Sequence, residues 1–317
     1  MITGMDDRHE MRRKKYHDQG NSCGGNMIGI GKWLIKVLLV GLFLPGCTLT
    51  PGPSADDIAA GLARVPETGI IRDGLPAYII MIESLLNRTP ENPELLEAAA
   101  RLYSLYGGYF VDEQTRAENL TTRALDYALI AADRRIPGMG LARSSSYQDF
   151  KRLVNNTVRD DIDTLFFIGS IWLDWVRVRR DELDAVADLP MIQLLMQRIA
   201  VFEAGYHGGM ATLYLALLAS MEDADNDQIR GYFALASEQA AGKHLLVDYF
   251  FGVWQVENGE MKEGCARLYD ILDNRQTGAS VFSLYNDLAR TQVPKALEAF
   301  RQQGNCSVSD RKGERIP

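Results

Sequence analysis

Few residues in this chain have the chemistry to catalyse anything, and their spacing argues against a catalytic centre. Glu203 and His207 stand four apart, the separation that puts an acid and a base on one helix face. Gly205, Gly208 and Gly209 surround His207, and so many glycines predict that the helix ends there, leaving His207 as a capping or pocket residue. Asp160, Asp161 and Asp163 form a carboxylate cluster, but they open a helix, where the peptide dipoles favour negative charge. No G-x-S-x-G elbow, HExxH pair, phosphate loop or dinucleotide fingerprint occurs. Neither the four histidines nor Cys23, Cys47, Cys265 and Cys306 show metal-ligand spacing. The expectation is a protein that is not an enzyme and needs no metal or cofactor.

The cysteine with a definite chemical task is Cys47. Lys32 and Lys36 precede a short apolar run, Val37 to Leu44, too short to span a bilayer and suited to a signal peptide. Its ending, Leu44-Pro45-Gly46-Cys47, resembles a lipobox: small Gly46 fits a signal peptidase, and the Cys47 thiol takes the diacylglycerol. Two or three acyl chains, at roughly 0.8 kcal/mol per buried CH₂, hold a protein firmly on a membrane. Residues 1–46 then form a leader, with a complete signal peptide in 27–46 and Met27 as the expected start. Residues 47–55 form the lipidated tether. Thr48, where Asp would retain the protein at the inner membrane, points to the outer membrane, facing the periplasm. With Cys47 acylated and Cys23 removed, Cys265 and Cys306 admit two readings. They form one disulfide, or Cys265 is buried and Cys306 is free on a frayed tail.

The remaining candidates are aromatic. Trp172 and Trp175, three apart, suit either the wall of an apolar ligand channel or ordinary helix packing. Tyr106 and Tyr109, beside Gly107-Gly108, carry the same two readings, with the glycines permitting a close helix approach or a bend. Tyr206 adjoins His207. Tyr249, Phe250, Phe251 and Trp254 cover nearly every side of a helix, so some of them face a partner, a pore or a neighbouring subunit.

The elements that must position these residues are helices. From Asp56 onward a 3.6-residue apolar period dominates, without alternating strands. Asn92-Pro93-Glu94 reads as a capped helix start, continuing with Leu95, Ala98, Ala99, Leu102 and Leu105 on one face. Glu113 to Arg135 is a second long helix, stopped by Pro137-Gly138. Asp160 to Arg179 is a third, and Asp188-Leu189-Pro190 caps a fourth that runs to Phe202. Further helices are expected at about 210–221, 226–241, 244–257, 259–273 and 281–302, with Asn258-Gly259 as a tight turn. The fold class expected is all-α: antiparallel helix pairs stacked as degenerate tetratricopeptide-like repeats in a compact superhelical array over residues 56–303, followed by a disordered tail at 304–317. From Cys47 onward, 27 Lys and Arg face 38 Asp and Glu, a net charge near −11. Such a surface repels nucleic acid and anionic lipid, so membrane contact is expected through acyl chains only.

Three segments, in order, carry a family resemblance. They are ENPELLEAAARLYSLYGGYFVDEQTRAENLTTRALDYALIA, LFFIGSIWLDWVRVRRDELDAVADLPMIQLLMQRIAVFEAGYHGG and AGKHLLVDYFFGVWQVENGEM. Together they resemble the TRAP transporter T-component family, periplasmic lipoproteins with cryptic tetratricopeptide-like repeats, over about Gly74 to Phe300. One departure is MEDADNDQIRG, where the family pattern leads one to expect a Gly-Gly turn. The resemblance implies a homotrimer with a hydrophobic channel. It also implies partnership with the substrate-binding P-component of a tripartite ATP-independent transporter, handing over an apolar or organic-acid ligand. The alternative function is a general helical-repeat scaffold for an outer-membrane or cell-wall complex.

Overall fold

The computed structural model describes Gly61 and residues 68–222, 224–274 and 282–306. The leader, the lipobox at Cys47, the tether and the tail beyond Cys306 lie outside the described residues. Among the described residues every regular element is helical and no strand occurs.

Helix α1 (Thr68–Leu86) buries Ile71, Leu75, Ile79, Ile82 and Leu86, a single stripe spaced three and four apart. Helix α2 (Pro93–Tyr109) begins as its sequence demands. Asn92 Oδ1 accepts the Leu95 amide at 2.9 Å and Pro93 occupies the first turn, where its missing N–H costs nothing. Helix α3 (Gln114–Arg135) is capped by Glu113, whose two oxygens accept from the Thr115 and Arg116 amides. α2 and α3 form an antiparallel hairpin with an alanine-rich seam of Ala99, Ala100, Ala124 and Ala128. Gly107 permits the approach: a Cβ there would lie 2.7 Å from the Leu120 Cβ.

A 3₁₀ turn (Met139–Ser144), α4 (Tyr147–Asn155) and a second 3₁₀ turn (Arg159–Asp161) lead into α5 (Ile162–Val178), a largely buried helix. A short α6 (Leu183–Val186) precedes α7 (Leu189–Phe202), which packs on α5 and α4. α8 (Tyr206–Met221) pairs with α9 (Asn226–Ala240), and α10 (Leu245–Glu257) pairs with α11 (Met261–Asp273) across a turn in which Gly259 takes a φ of 88°. α12 (Ser283–Gln302) packs on α10 and α11 and returns to touch α1.

Two expectations need correction. Asp188 does not cap α7 with its side chain. Its backbone is helical and its carboxylate points to Trp172 and Arg143 instead. Cys306 is neither free nor on a frayed segment. It is 2% exposed, bonded to fully buried Cys265 with Cα atoms 5.2 Å apart, and its carbonyl accepts the Tyr269 hydroxyl. The chain therefore stays packed through Cys306, because a small second core of Leu268, Val293, Leu297 and Phe300 receives it.

Candidate functional site

The kinked first turn of α8 opens the site. Glu203 ends α7, ion-paired with Arg159, so the acid–base pairing with His207 along one helix does not arise. His207, Gly208 and Gly209 then take three consecutive left-handed conformations, φ 47°, 64° and 86°. Gly209 has no alternative, since a Cβ would meet the Ala236 carbonyl oxygen at 2.7 Å. The non-glycine His207 is held in this costly conformation by its neighbours. Its ring stacks on Phe166 at 5.4 Å and lies 4.3 Å from Tyr206, whose hydroxyl donates to the Asp163 carboxylate. Burial pushes the His207 imidazole below its ordinary pKa. Asp161 accepts the Val158 amide and Asp163 the Tyr206 hydroxyl, and no metal-holding cluster occurs among the described residues.

Two cavities bear on the site. The first, about 670 Å³, is walled by Glu97, Arg101, Asp163, Phe166, His207 and Tyr285. The second, about 450 Å³, is walled by Leu173, Arg177, Arg180, Leu217, Met221 and Glu257. α5 and α8 each contribute to both. From Phe166 to Arg177, α5 advances about 16 Å at 1.5 Å per residue.

Beside Arg177 of the second cavity, Tyr109, Asp174 and Tyr214 form one polar cluster. The Arg177 guanidinium lies 4.7 Å from the Tyr109 ring centre and donates to the Gly108 carbonyl at 2.9 Å and to Asp174 at 3.2 Å. The second Asp174 oxygen accepts the Ser104 hydroxyl at 2.7 Å. Burial pushes the phenols of Tyr109, Tyr214, Tyr249 and Tyr285 upward, with Asp174 adding to the effect at Tyr109, Tyr214 and Tyr285. Yet Tyr109, Arg177, Tyr249 and Tyr285 all keep accessible surface. Of these, Tyr285 walls the first cavity and Arg177 the second.

His244 stands behind this wall, fully buried, with both ring nitrogens unpartnered. It packs against Phe282 at 4.6 Å and Tyr285 at 5.3 Å, and burial, aided by His207, lowers its pKa to about 4.

The sequence candidates divide. Tyr206 and His207 line the first cavity, Tyr109 belongs to the polar cluster, and Tyr249 stands near Arg177 and Glu257. Phe250, half-buried, packs edge-on against Tyr249. Trp172 is fully buried, edge-on to Phe150, out of reach of a ligand. Trp175, 6% exposed, lies between the Arg143 and Arg179 guanidiniums and donates to Thr122. Trp254 packs into Phe233 and Phe251. Tyr106 pairs with Arg116 at the α3 start. Arg101, Asp174, Arg177, Tyr214, His244 and Tyr285 were not anticipated. Asp174 and Arg177, charged residues inside the apolar run of α5, were the available signal.

Packed neighbouring helix pairs with cavities between them define an all-helical protein. A comparison with known families matches residues 67–292 to the TRAP transporter T-component, and the chain belongs to that family. It is an accessory component of a TRAP transport system, and the family is one of transport accessories rather than of known enzymes. A search of curated proteins finds no match.

Proposed function

We propose that this T-component is a lipid-anchored periplasmic protein that binds the solute-binding P-component of its transporter and takes up a small ligand in the cavities that Tyr285 and Arg177 help to wall. The family match over residues 67–292 is the observation that carries the reading. The two cavities, to which α5 and α8 both contribute, support a ligand site. The Cys265–Cys306 disulfide suits an oxidising compartment such as the periplasm. Anchoring is through acyl chains on Cys47 in the outer membrane. The helix pairs act as degenerate tetratricopeptide-like repeats, and the assembly is a homotrimer, to be read by sedimentation.

The test is capture of partners from periplasmic extract with the exported chain carrying Cys47→Ser. Recovery of a TRAP-type solute-binding protein supports the reading. Recovery only of cell-wall or outer-membrane assembly proteins favours a general scaffold instead.

A further inference from the structure

We infer that the outward face of α1 rests on a zwitterionic phospholipid bilayer, a protein contact additional to the acyl chains on Cys47. This rests on reading the protein as lipid-anchored.

α1 is apolar on two sides. One is the buried stripe that packs on α2. The other is exposed: Ile70 at 57%, Tyr78 at 44%, Met81 at 40% and Leu85 at 38%, with Gly74 and Ala77 between them. At 3.6 residues per turn these six positions fill one arc of about 100°, and no charged residue of the helix falls inside it. Ile80, also exposed, extends the apolar surface past Ser84. The charges that α1 does carry are spent elsewhere. Arg72 and Asp73 pair with each other at 2.9 Å, and Glu83 accepts the Tyr103 and Tyr127 hydroxyls on the side of α2 and α3. From Gly74 to Leu85 the outward face is therefore uncharged over about 17 Å.

α1 opens the array of described helices, and the end elements of helical arrays need a polar outer side to stay soluble. An apolar outer side signals a further surface that covers it. Chain connectivity says which. Thr68 follows acylated Cys47 within a contour of no more than about 75 Å, so α1 is the described helix closest along the chain to the bilayer. A tether of that kind presents the bilayer at an effective concentration on the order of millimolar. A helix with one apolar and one polar side lies in the plane of the interface, its apolar side sunk about 5–10 Å. Tyr78 suits that depth, with an apolar ring and a polar tip. The lipid is zwitterionic because the mature chain carries a net charge near −11 and the arc offers no cation to an anionic head group.

Flotation of the exported chain carrying Cys47→Ser with phosphatidylcholine vesicles at millimolar lipid tests the contact without acyl chains. The parent is expected to float with the vesicles, and more weakly with phosphatidylglycerol vesicles. Met81→Glu is expected to lower partitioning at least about tenfold, because it brings a carboxylate against hydrocarbon. Val201→Glu, at a more exposed apolar residue of α7, is expected to leave it unchanged. Circular dichroism checks the fold of both variants. No flotation by folded protein, a Met81→Glu variant that floats like the parent, or stronger binding to phosphatidylglycerol overturns the inference. So does a Met81→Glu variant whose sedimentation coefficient changes while its flotation does not, which would assign the face to a second copy of the chain. Mass spectrometry of Cys47 tests the acyl anchor separately, so failure of the anchoring reading is distinguishable from failure of the α1 contact.

Discussion

Trp172 reaches Asp188 across the packing of α5 on α7, its indole N–H donating to the carboxylate at 2.9 Å, while Arg143 donates to the same oxygen at 2.8 Å. One carboxylate thus satisfies a fully buried tryptophan and ties the 3₁₀ turn to the helix pair. Asp188→Ala leaves the buried indole N–H without an acceptor and is expected to cost about 2–3 kcal/mol; Asp188→Asn, which keeps an acceptor, costs about 1 kcal/mol. Urea unfolding checks both, and a loss below that for Asn in the Ala variant contradicts the assignment.

Gly209 and Gly231 separate two meanings of glycine. At Gly209 the φ of 86° and the Ala236 carbonyl 2.7 Å from a Cβ exclude any side chain, so Gly209→Ala is expected to lose more than about 2 kcal/mol. Gly231 lies inside α9 with open space around it, and Gly231→Ala is expected to gain about 0.5–1 kcal/mol. Melting temperatures of the two variants should move in opposite directions.

His244 makes stability depend on pH with a definite sign. Its ordinary pKa of 6.5 falls to about 4 in the folded protein because burial disfavours the imidazolium. Between those values the unfolded chain binds a proton that the folded chain refuses, so stability is full above pH 6.5 and falls as pH drops toward 4. The window is worth on the order of 3 kcal/mol. His244→Phe removes the two unpartnered nitrogens and is expected to flatten the profile over that window. Urea unfolding of both proteins at pH 7 and pH 4.5 reads the difference, and identical slopes contradict it.

The disulfide closes a loop of 41 residues in sequence separation across α11 and α12. Cys306→Ser is expected to lower stability by about 2–4 kcal/mol. Dithiothreitol should destabilise the parent by a similar amount and leave Cys306→Ser unchanged; a parent insensitive to reductant contradicts the bond.

Helix order was legible because Asn92-Pro93, Pro137-Gly138 and Asn258-Gly259 punctuate long 3.6-residue periods. α1 was not singled out, although its buried stripe from Ile71 to Leu86 is regular. α4 and α6 are too short for periodicity to declare. The site was legible only where an aromatic adjoined an unusual backbone, as at Tyr206-His207. Arg177, Tyr214 and Tyr285 come from three helices, and nothing local in the sequence says they converge. Trp172 attracted notice as a large aromatic, and its size is why the core took it.

The proposed binding of this T-component to the solute-binding protein of its own transporter is open to direct test. The most direct measurement is a titration of the purified solute-binding protein against the exported chain carrying Cys47→Ser, followed by sedimentation velocity. A saturable complex with defined stoichiometry, absent with an unrelated solute-binding protein, is the predicted result. Two species that sediment independently at every concentration and ligand condition would contradict it.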